Sequence, residues 1–189
     1  ERFFRPRSLI NLNKSKIIQA HSMQKYFYIF FLSCLFQSSI TLCMNEKFPL
    51  PNINFELMDG GEITFKELVN EGPLLVHFWA MWCSPCKKEM YHLDKLLKKY
   101  KKYGLNVVCV NTDKIRSLPK AKAYTRQKRY NLKIASDPSL NIFKRLNVNV
   151  MPTTFIFNNK GEVLYKREGY ISGDEKQTEE FINSILLNK

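Results

Sequence analysis

The sequence predicts an α/β domain in which a central mixed sheet is flanked by helices. Two continuous apolar runs, residues 74–80 and 105–110, have the length of strands that are buried on both faces. A long segment with helical periodicity separates them, and a hairpin pattern follows over residues 153–166. Strands that alternate with helices favour parallel pairing, and the later hairpin adds an antiparallel edge.

The composition is that of one folded domain. The chain has 189 residues, of which 44% are hydrophobic and 25% charged. This balance excludes wholesale disorder, a collagen-like chain and a multi-spanning membrane protein. Lysine and arginine number 30 against 17 acidic residues, which gives a net charge of +13. Because the basic residues are spread over helical faces and not clustered, nucleic-acid binding is not predicted.

The N-terminal region carries a targeting pattern. Residues 26–36 form an apolar run, with Ser33 as its one small polar residue, that follows Lys25 and precedes further small polar residues. The run has the length of a signal-peptide core and is short for a spanning helix, which needs about 20 residues. We predict that residues 23–43 are a cleaved signal peptide or a retained membrane anchor. Residues 1–22 are predicted to be unstructured and to lie upstream of a true start at Met23.

The folded domain is predicted to occupy residues 44–189, and it begins with a β-hairpin. Residues 54–58 and 62–64 flank the turn Asp59-Gly60-Gly61, whose glycines supply the positive φ that a tight hairpin requires. A short helix over residues 65–69 then precedes the first buried strand.

The remaining elements are mainly helical. Apolar residues recur at spacings of four and three along the segment after the first buried strand. They are Cys86, Met90, Leu93, Leu97 and Tyr100. Gly104 ends this long helix, and residues 119–130 and 139–146 form two more. Residues 153–157 and 162–166 form the hairpin, and residues 174–187 the closing helix.

Two cysteines mark the chemistry. Cys83 and Cys86 enclose Ser84-Pro85 at the junction between the first buried strand and the long helix. A thiolate at a helix N-terminus faces unpaired N–H groups and the positive end of the helix dipole, so Cys83 is predicted to be the reactive thiol. Cys86 lies on the apolar face, where it can attack a mixed disulfide formed at Cys83.

A family resemblance starts from these cysteines. Residues 78–90, Phe-Trp-Ala-Met-Trp-Cys-Ser-Pro-Cys-Lys-Lys-Glu-Met, resemble the active-site segment of the thioredoxin superfamily, in particular its extracytoplasmic TlpA/ResA-like members with a redoxin or AhpC/TSA-like domain. The likeness extends over most of residues 48–173. It includes the first hairpin, Asn111 after the second buried strand, and the segment Met151-Pro152-Thr153.

The resemblance implies a thioredoxin-like fold with an N-terminal β-hairpin extension. It implies that Met151 and Pro152 form a cis-proline loop beside the cysteines, where they contact substrate together with Trp82. It further implies that the redox-active disulfide Cys83–Cys86 serves in place of any separate cofactor.

Two more residues are candidates for proton chemistry. Glu89 follows Cys86 by three residues, so a helix brings both to one side, and a partly buried carboxyl there is suited to exchange protons with the cysteines. The matching glutamate of ResA-like proteins has such a role, and a solvated first-turn glutamate is the alternative. His77 stands where thioredoxins have a buried Asp and TlpA-like members an Asn. It is either a proton relay for Cys86 or a hydrogen-bonded core histidine.

The predicted function is thiol-disulfide exchange with exported protein substrates, outside the cytoplasm, in the periplasm or on the outer face of the membrane. The resemblance implies a reductant that is supplied by a membrane electron donor, with cytochrome c maturation as one setting.

Three alternatives depend on the same residues. A thiol peroxidase needs a Thr-x-x-Cys setting, whereas residues 80–83 are Ala-Met-Trp-Cys. A non-catalytic thioredoxin-fold module would be expected to lack one cysteine or Pro152. A structural zinc site needs four N or S ligands, and the chain offers one Cys-x-x-Cys and no histidine pair, so no metal is predicted.

Cys109, in an apolar strand, is predicted to be an inert buried thiol.

Overall fold

The computed structural model describes residues 52–187, which form one seven-stranded sheet with helices on both faces. The predicted export segment at residues 23–43 and residues 1–22 before it lie outside the described residues. Within the described part of the chain, every helix is too short or too polar to cross a membrane.

Strands and helices alternate along most of the described chain. The strands are β1 (Asn54–Leu57), β2 (Glu62–Thr64), β3 (Leu74–Trp79), β4 (Asn106–Asn111), β5 (Lys133–Ser136), β6 (Thr153–Phe157) and β7 (Val163–Glu168). The α-helices are α1 (Phe65–Glu71), α2 (Ser84–Tyr100), α3 (Leu118–Lys128), α4 (Asn141–Arg145) and α5 (Asp174–Leu187). Short 3-10 turns at Lys101–Tyr103 and Ile115–Ser117 follow α2 and precede α3.

The strand order is β2-β1-β5-β4-β3-β6-β7. Strands β3, β4 and β5 are parallel, whereas β6 is antiparallel to β3 and β7 is antiparallel to β6. The ends of β3, β4, β5 and β7 and the start of β6 therefore meet at one edge of the sheet, which we call the carboxyl edge. This mixed sheet confirms the predicted fold class.

The core lies on both faces of β3, which is buried along its whole length. Leu75 and Trp79 pack in a cluster with residues of α2, α3 and α5. Val76 and Phe78 point to the opposite face, in a cluster with residues of α1 and α4. This alternation explains why the strand is apolar at almost every position.

A capping box fixes the start of α1. The Thr64 hydroxyl accepts a hydrogen bond from the Glu67 backbone N–H at 3.1 Å, and the Glu67 carboxylate accepts one from the Thr64 N–H at 2.7 Å. At the other end, Gly72 (φ 149°) lies against the Gly104 carbonyl, where a side chain would overlap it. Both glycines follow helical segments, as their positions in the sequence indicate.

Strand β5 is the element that the periodicity missed. Only Ile134 and Ala135 of its four residues are buried, while Lys133 and Ser136 at its ends are partly exposed. Two buried residues are too few to register as an apolar run. Helix α1 extends two residues beyond its predicted end, and the predicted helix at 139–146 is reduced to the five residues of α4.

Candidate active site at the carboxyl edge of the sheet

The two cysteines lie where β3 passes into α2. Cys83 is the N-cap of α2, and Pro85 occupies its first turn, where a missing N–H costs no helical hydrogen bond. Cys83 and Cys86 form a disulfide with their Cα atoms 5.3 Å apart. The Cys83 sulfur also accepts a hydrogen bond from the Cys86 backbone N–H at 3.2 Å. A thiolate at Cys83 would therefore meet a backbone donor at the helix N-terminus.

The two sulfurs differ in access. Both cysteines belong to the same core cluster, but Cys86 has no exposed surface, whereas Cys83 keeps 3% exposure. Beside it, Trp82 is 71% exposed. An incoming substrate therefore meets Trp82 and Cys83 before it can reach Cys86.

Asp113 holds the segment that leads into Cys83, and the sequence analysis did not single it out. Its buried Oδ2 accepts hydrogen bonds from the Met81 N–H at 2.7 Å and from Asn111 Nδ2 at 2.8 Å. Lys87 Nζ donates to the Met81 carbonyl at 2.9 Å, so both backbone polar groups of Met81 are satisfied. The turn before the cysteines is thus tied to the end of β4.

The Met151–Pro152 loop is anchored at the same edge. The Met151–Pro152 peptide bond is cis, and the Pro152 carbonyl accepts a hydrogen bond from the Gly169 N–H at 2.7 Å. The Thr112 hydroxyl lies 3.3 Å from the Met151 sulfur, and the Thr112 N–H donates to the Trp79 carbonyl at 2.9 Å. Met151 is thereby placed beside the end of the strand that precedes the cysteines.

Glu89 on α2 and His77 on β3 lie close together between the helix and the sheet. Glu89 is 1% exposed and His77 is fully buried, and 3.7 Å separates His77 Nδ1 from Glu89 Oε2. The structure thus shows a buried glutamate and not a solvated one, and it turns His77 toward the helix that carries Cys86.

Two residues that the sequence analysis missed complete this cluster. Thr154 and Arg167 are cross-strand neighbours on β6 and β7, and Thr154 also pairs with His77 on β3. Glu89 Oε1 accepts a hydrogen bond from the Thr154 hydroxyl at 2.7 Å and another from Arg167 Nη2. The buried carboxylate therefore has a cationic partner, as buried charges require.

The hydrogen bonds indicate which tautomer of His77 is present. The Thr154 hydroxyl has one proton, which it donates to Glu89, so it accepts from His77 Nδ1 at 3.0 Å. A neutral ring with its proton on Nδ1 leaves a lone pair on Nε2. Within the described chain that buried Nε2 has no hydrogen-bond partner. Burial lowers the pKa of His77, and the Glu89 charge offsets part of this effect.

Cys109 is a free thiol on β4, directly beside His77 in the parallel pairing. Burial, with a smaller contribution from the charges of Glu89 and Asp94, raises the pKa of the Cys109 thiol well above its ordinary range. Such a thiol is a poor nucleophile. Among the described residues, no group of three or more His, Cys, Asp or Glu side chains is arranged to hold a metal ion.

The fold and the disulfide at the start of α2 define a thioredoxin-like protein of the thiol-disulfide oxidoreductase class. The chain belongs to the AhpC/TSA family, which it matches over residues 47–166. This confirms the family resemblance that the active-site segment indicated.

Within the thiol-disulfide oxidoreductase class, the sequence is similar to proteins named ResA. The thiol-disulfide oxidoreductase ResA of Halalkalibacterium halodurans is 33% identical over 137 residues, which cover 70% of this chain and 74% of that protein. ResA of Bacillus subtilis is 28% identical over 144 residues, which cover 75% of this chain and 76% of that protein. The protein is therefore an oxidoreductase of this type, and such enzymes use the cysteine pair itself without a separate cofactor.

Solved structures agree with this assignment. A putative thiol:disulfide interchange protein DsbE from Chlorobium tepidum superposes with a TM-score of 0.67 and 26% identity, covering 73% of this chain and 95% of that one. StoA from Bacillus subtilis shares the fold with a TM-score of 0.57 and 22% identity, over 69% of this chain and 95% of that one. The predicted thioredoxin-like fold is confirmed.

Proposed function

We propose that this oxidoreductase works outside the cytoplasm as a reductant of disulfides in exported proteins, with Cys83 as the attacking thiol and Cys86 as the resolving thiol. The observation that carries the proposal is the position of the pair. Cys83 caps α2 beside exposed Trp82, while Cys86 is enclosed in the core.

The exchange has two steps. The Cys83 thiolate attacks one sulfur of a substrate disulfide, that bond breaks, and one substrate sulfur leaves as a thiolate. Cys86 then loses its proton and attacks the Cys83 sulfur of the mixed disulfide, which releases the second substrate thiolate. The substrate gains two electrons and the protein is left with the Cys83–Cys86 disulfide. A donor, which we place in the membrane, returns two electrons for the next cycle; apocytochromes in cytochrome c maturation are one substrate class.

Substrate contact is assigned to Trp82, Met151 and Pro152. Trp82 is exposed next to Cys83, and Met151 is half-buried at the same edge of the sheet. An extended substrate segment that lies against the Met151–Pro152 loop would pair with its backbone by strand addition. This pairing would place the substrate disulfide at Cys83.

The reducing direction is supported by what surrounds Cys83. Strongly oxidising proteins of this class stabilise the thiolate of the reduced form, which favours the dithiol state. In the described structure the Cys83 sulfur accepts one hydrogen bond, from the Cys86 N–H, and none from a side chain of the described residues. This modest stabilisation favours a reducing couple.

The reduction potential of the Cys83–Cys86 couple tests the direction. Equilibration against glutathione or dithiothreitol buffers is expected to give a value near that of thioredoxin, about −270 mV, and far below the about −120 mV of DsbA. A potential near the DsbA value would show that the protein oxidises its substrates and would overturn the reductant assignment.

A reporter fusion tests the location. Residues 23–60 joined to a reporter that is active only after export are expected to give an active fusion, because residues 26–36 have the pattern of a signal core. A matched fusion that starts at residue 44 serves as the control. An inactive first fusion would place the enzyme in the cytoplasm and remove the argument for exported substrates.

We propose that His77 and Glu89 accept the proton that Cys86 loses before it attacks the mixed disulfide. His77 lies on the face of the sheet that α2 covers, Glu89 lies on α2 itself within 3.7 Å of His77 Nδ1, and the His77 ring carries its lone pair on Nε2. A buried neutral imidazole can accept a proton from a thiol that is about to become a nucleophile. Glu89 belongs to the same cluster. Its carboxylate accepts a hydrogen bond from the Thr154 hydroxyl, which in turn contacts His77 Nδ1.

The pH dependence of stability tests the state of His77. Burial lowers the pKa of His77 in the folded protein, so the unfolded chain binds a proton there at a higher pH than the folded protein does. The free energy of unfolding is therefore expected to fall as the pH drops below about 6.5, the ordinary histidine value. His77→Asn should remove this fall, as measured by denaturant titration across pH 5 to pH 8.

His92, which is half-buried on α2, offers the matched control, since His92→Asn should leave the fall in place. Exchange rates across the same pH range separate a proton relay from a core histidine. A relay predicts that His77→Asn also changes the rate profile, whereas an unchanged rate profile would reduce His77 to a structural role.

A further inference from the structure

Four exposed apolar side chains lie in connections at the carboxyl edge, which also carries the disulfide. Trp82, Ile115, Val150 and Ile171 are 71%, 74%, 47% and 74% exposed, and each lies in a loop that begins or ends at this edge. Single exposed apolar residues are ordinary on a protein surface, but four in the connections of the edge that carries a reactive disulfide indicate an interaction surface.

Two cations lie in one of these loops. Lys114 and Arg116 are exposed on either side of Ile115, in the segment that joins β4 to α3. Neither is in an ion pair with a carboxylate of the described residues. Their positive charges are therefore available to a partner.

This loop is tethered directly to the approach to Cys83. Asp113, the residue before Lys114, binds the Met81 N–H at 2.7 Å, and Met81 is two residues before the cysteine. A substrate segment that extends a few residues from its disulfide would reach the loop, because an extended chain advances about 3.3 Å per residue.

Three carboxylates near this edge have hydrogen-bond or ion-pair partners. Asp113 is buried by its bonds to Met81 and Asn111, and Asp137 accepts from the Asn141 and Phe143 N–H groups at 2.7 and 2.8 Å. Glu168, at the end of β7, pairs with Lys166 at 2.6 Å. In the segment between β4 and α3, the exposed charged side chains are thus the two cations Lys114 and Arg116.

The loop also borders an open cleft. The cleft has a volume of about 480 Å³ and is lined by Lys114, Ile115, Arg116, Ser117 and Pro138. An apolar side chain can contact Ile115 and Pro138 there while a carboxylate faces the two cations.

We propose that Lys114, Ile115 and Arg116 form a specificity surface for disulfide-bearing protein segments that carry a carboxylate next to an apolar residue. The proposal deepens the proposed function and rests on it, because the segment is bound while its disulfide is exchanged at Cys83. Opposite charges raise the association rate of such a segment, and Lys114 and Arg116 would disfavour a basic one.

Three matched peptides test this surface. Each contains one disulfide and one neighbouring Leu, followed by two Glu, two Gln or two Lys. The rate constants of their reduction by the reduced protein are measured at low and high salt. At low salt the Glu peptide is expected to react about three- to tenfold faster than the Lys peptide, with the Gln peptide between them. High salt should compress the difference because exposed charges are screened.

Charge reversal locates the effect. The double variant Lys114→Glu/Arg116→Glu is expected to invert the order of the Glu and Lys peptides. The control Lys101→Glu/Lys102→Glu makes the same change in net charge at the far end of α2 and should preserve the order.

The outcomes distinguish failure of the specificity surface from failure of the proposed function. Equal rates for the three peptides, or an order that Lys114→Glu/Arg116→Glu does not change, would overturn the specificity surface while the oxidoreductase stands. Failure to reduce any of the three peptides would instead contradict the proposed function on which the surface rests. Binding to phosphatidylglycerol vesicles through Lys114 and Arg116, with equal peptide rates, would assign the two cations to a membrane surface and also overturn the proposal.

Discussion

Cys83→Ser is expected to lower disulfide exchange by about three orders of magnitude or more, because it removes the nucleophile of the first step. Cys86→Ser is expected to leave that first step intact and to stop the second. The variant should therefore accumulate mixed disulfides between Cys83 and its substrates, visible as dithiothreitol-sensitive adducts on a non-reducing gel. Their identification by mass spectrometry would also show which exported proteins are substrates.

The roles of the two cysteines follow from access, so labelling provides a second measurement. Limiting iodoacetamide is expected to modify Cys83 of the reduced protein before Cys86, since Cys83 has the exposed surface of the two. Cys109→Ala is the matched control. Because this free cysteine is buried on β4, its removal should change neither the labelling order of Cys83 and Cys86 nor the trapping of substrates. Adducts that form through Cys86 in the Cys83→Ser variant would reverse the assignment.

The strands that carry the site could be predicted because a strand that is buried on both faces has apolar residues at nearly consecutive positions. Strands β3 and β4 are buried along their whole length, so their sequences are apolar runs. Strand β5 lies between β4 and β1, yet only Ile134 and Ala135 of it are buried, and its sequence leaves no comparable run. Its place in the sheet depends on pairing with distant strands, which a local pattern does not record.

The same distinction applies to the site. Cys83, Cys86 and Glu89 follow one another at intervals of three residues, so helix geometry alone relates them. Arg167 reaches Glu89 from 78 residues away, and Thr154 from 65. Their approach requires the register of β6 against β3 and β7, which sets Thr154 beside both His77 and Arg167. Along β7 the partly buried Tyr165 and Arg167 share one face, and this spacing of two was the available signal for Arg167. A basic residue in an edge hairpin nevertheless suggests solvent exposure.

Arg167→Leu is expected to have the largest effect on stability. It removes the cationic partner of Glu89, whose carboxylate is 1% exposed, and breaks the bonds from Arg167 Nη1 to the Asp174 carbonyl and the Thr178 hydroxyl at 2.9 Å. Removing one partner of a buried ion pair costs about 3–5 kcal/mol of unfolding free energy. Denaturant titration measures this loss, and Arg167→Lys, which keeps the charge but not the planar guanidinium, should lose less.

A double-mutant cycle with Glu89 separates the pair from its surroundings. Glu89→Leu/Arg167→Leu is expected to be more stable than the sum of the single losses predicts, because the double variant buries no unpaired charge. The exchange rate then distinguishes a structural ion pair from proton chemistry. If Glu89 takes part in proton transfer, Glu89→Gln, which preserves shape and removes the charge, should change the dependence of the rate on pH. Strictly additive losses would contradict the pairing of Glu89 with Arg167, and a Glu89→Gln rate profile that matches the wild type would leave Glu89 with a structural role alone.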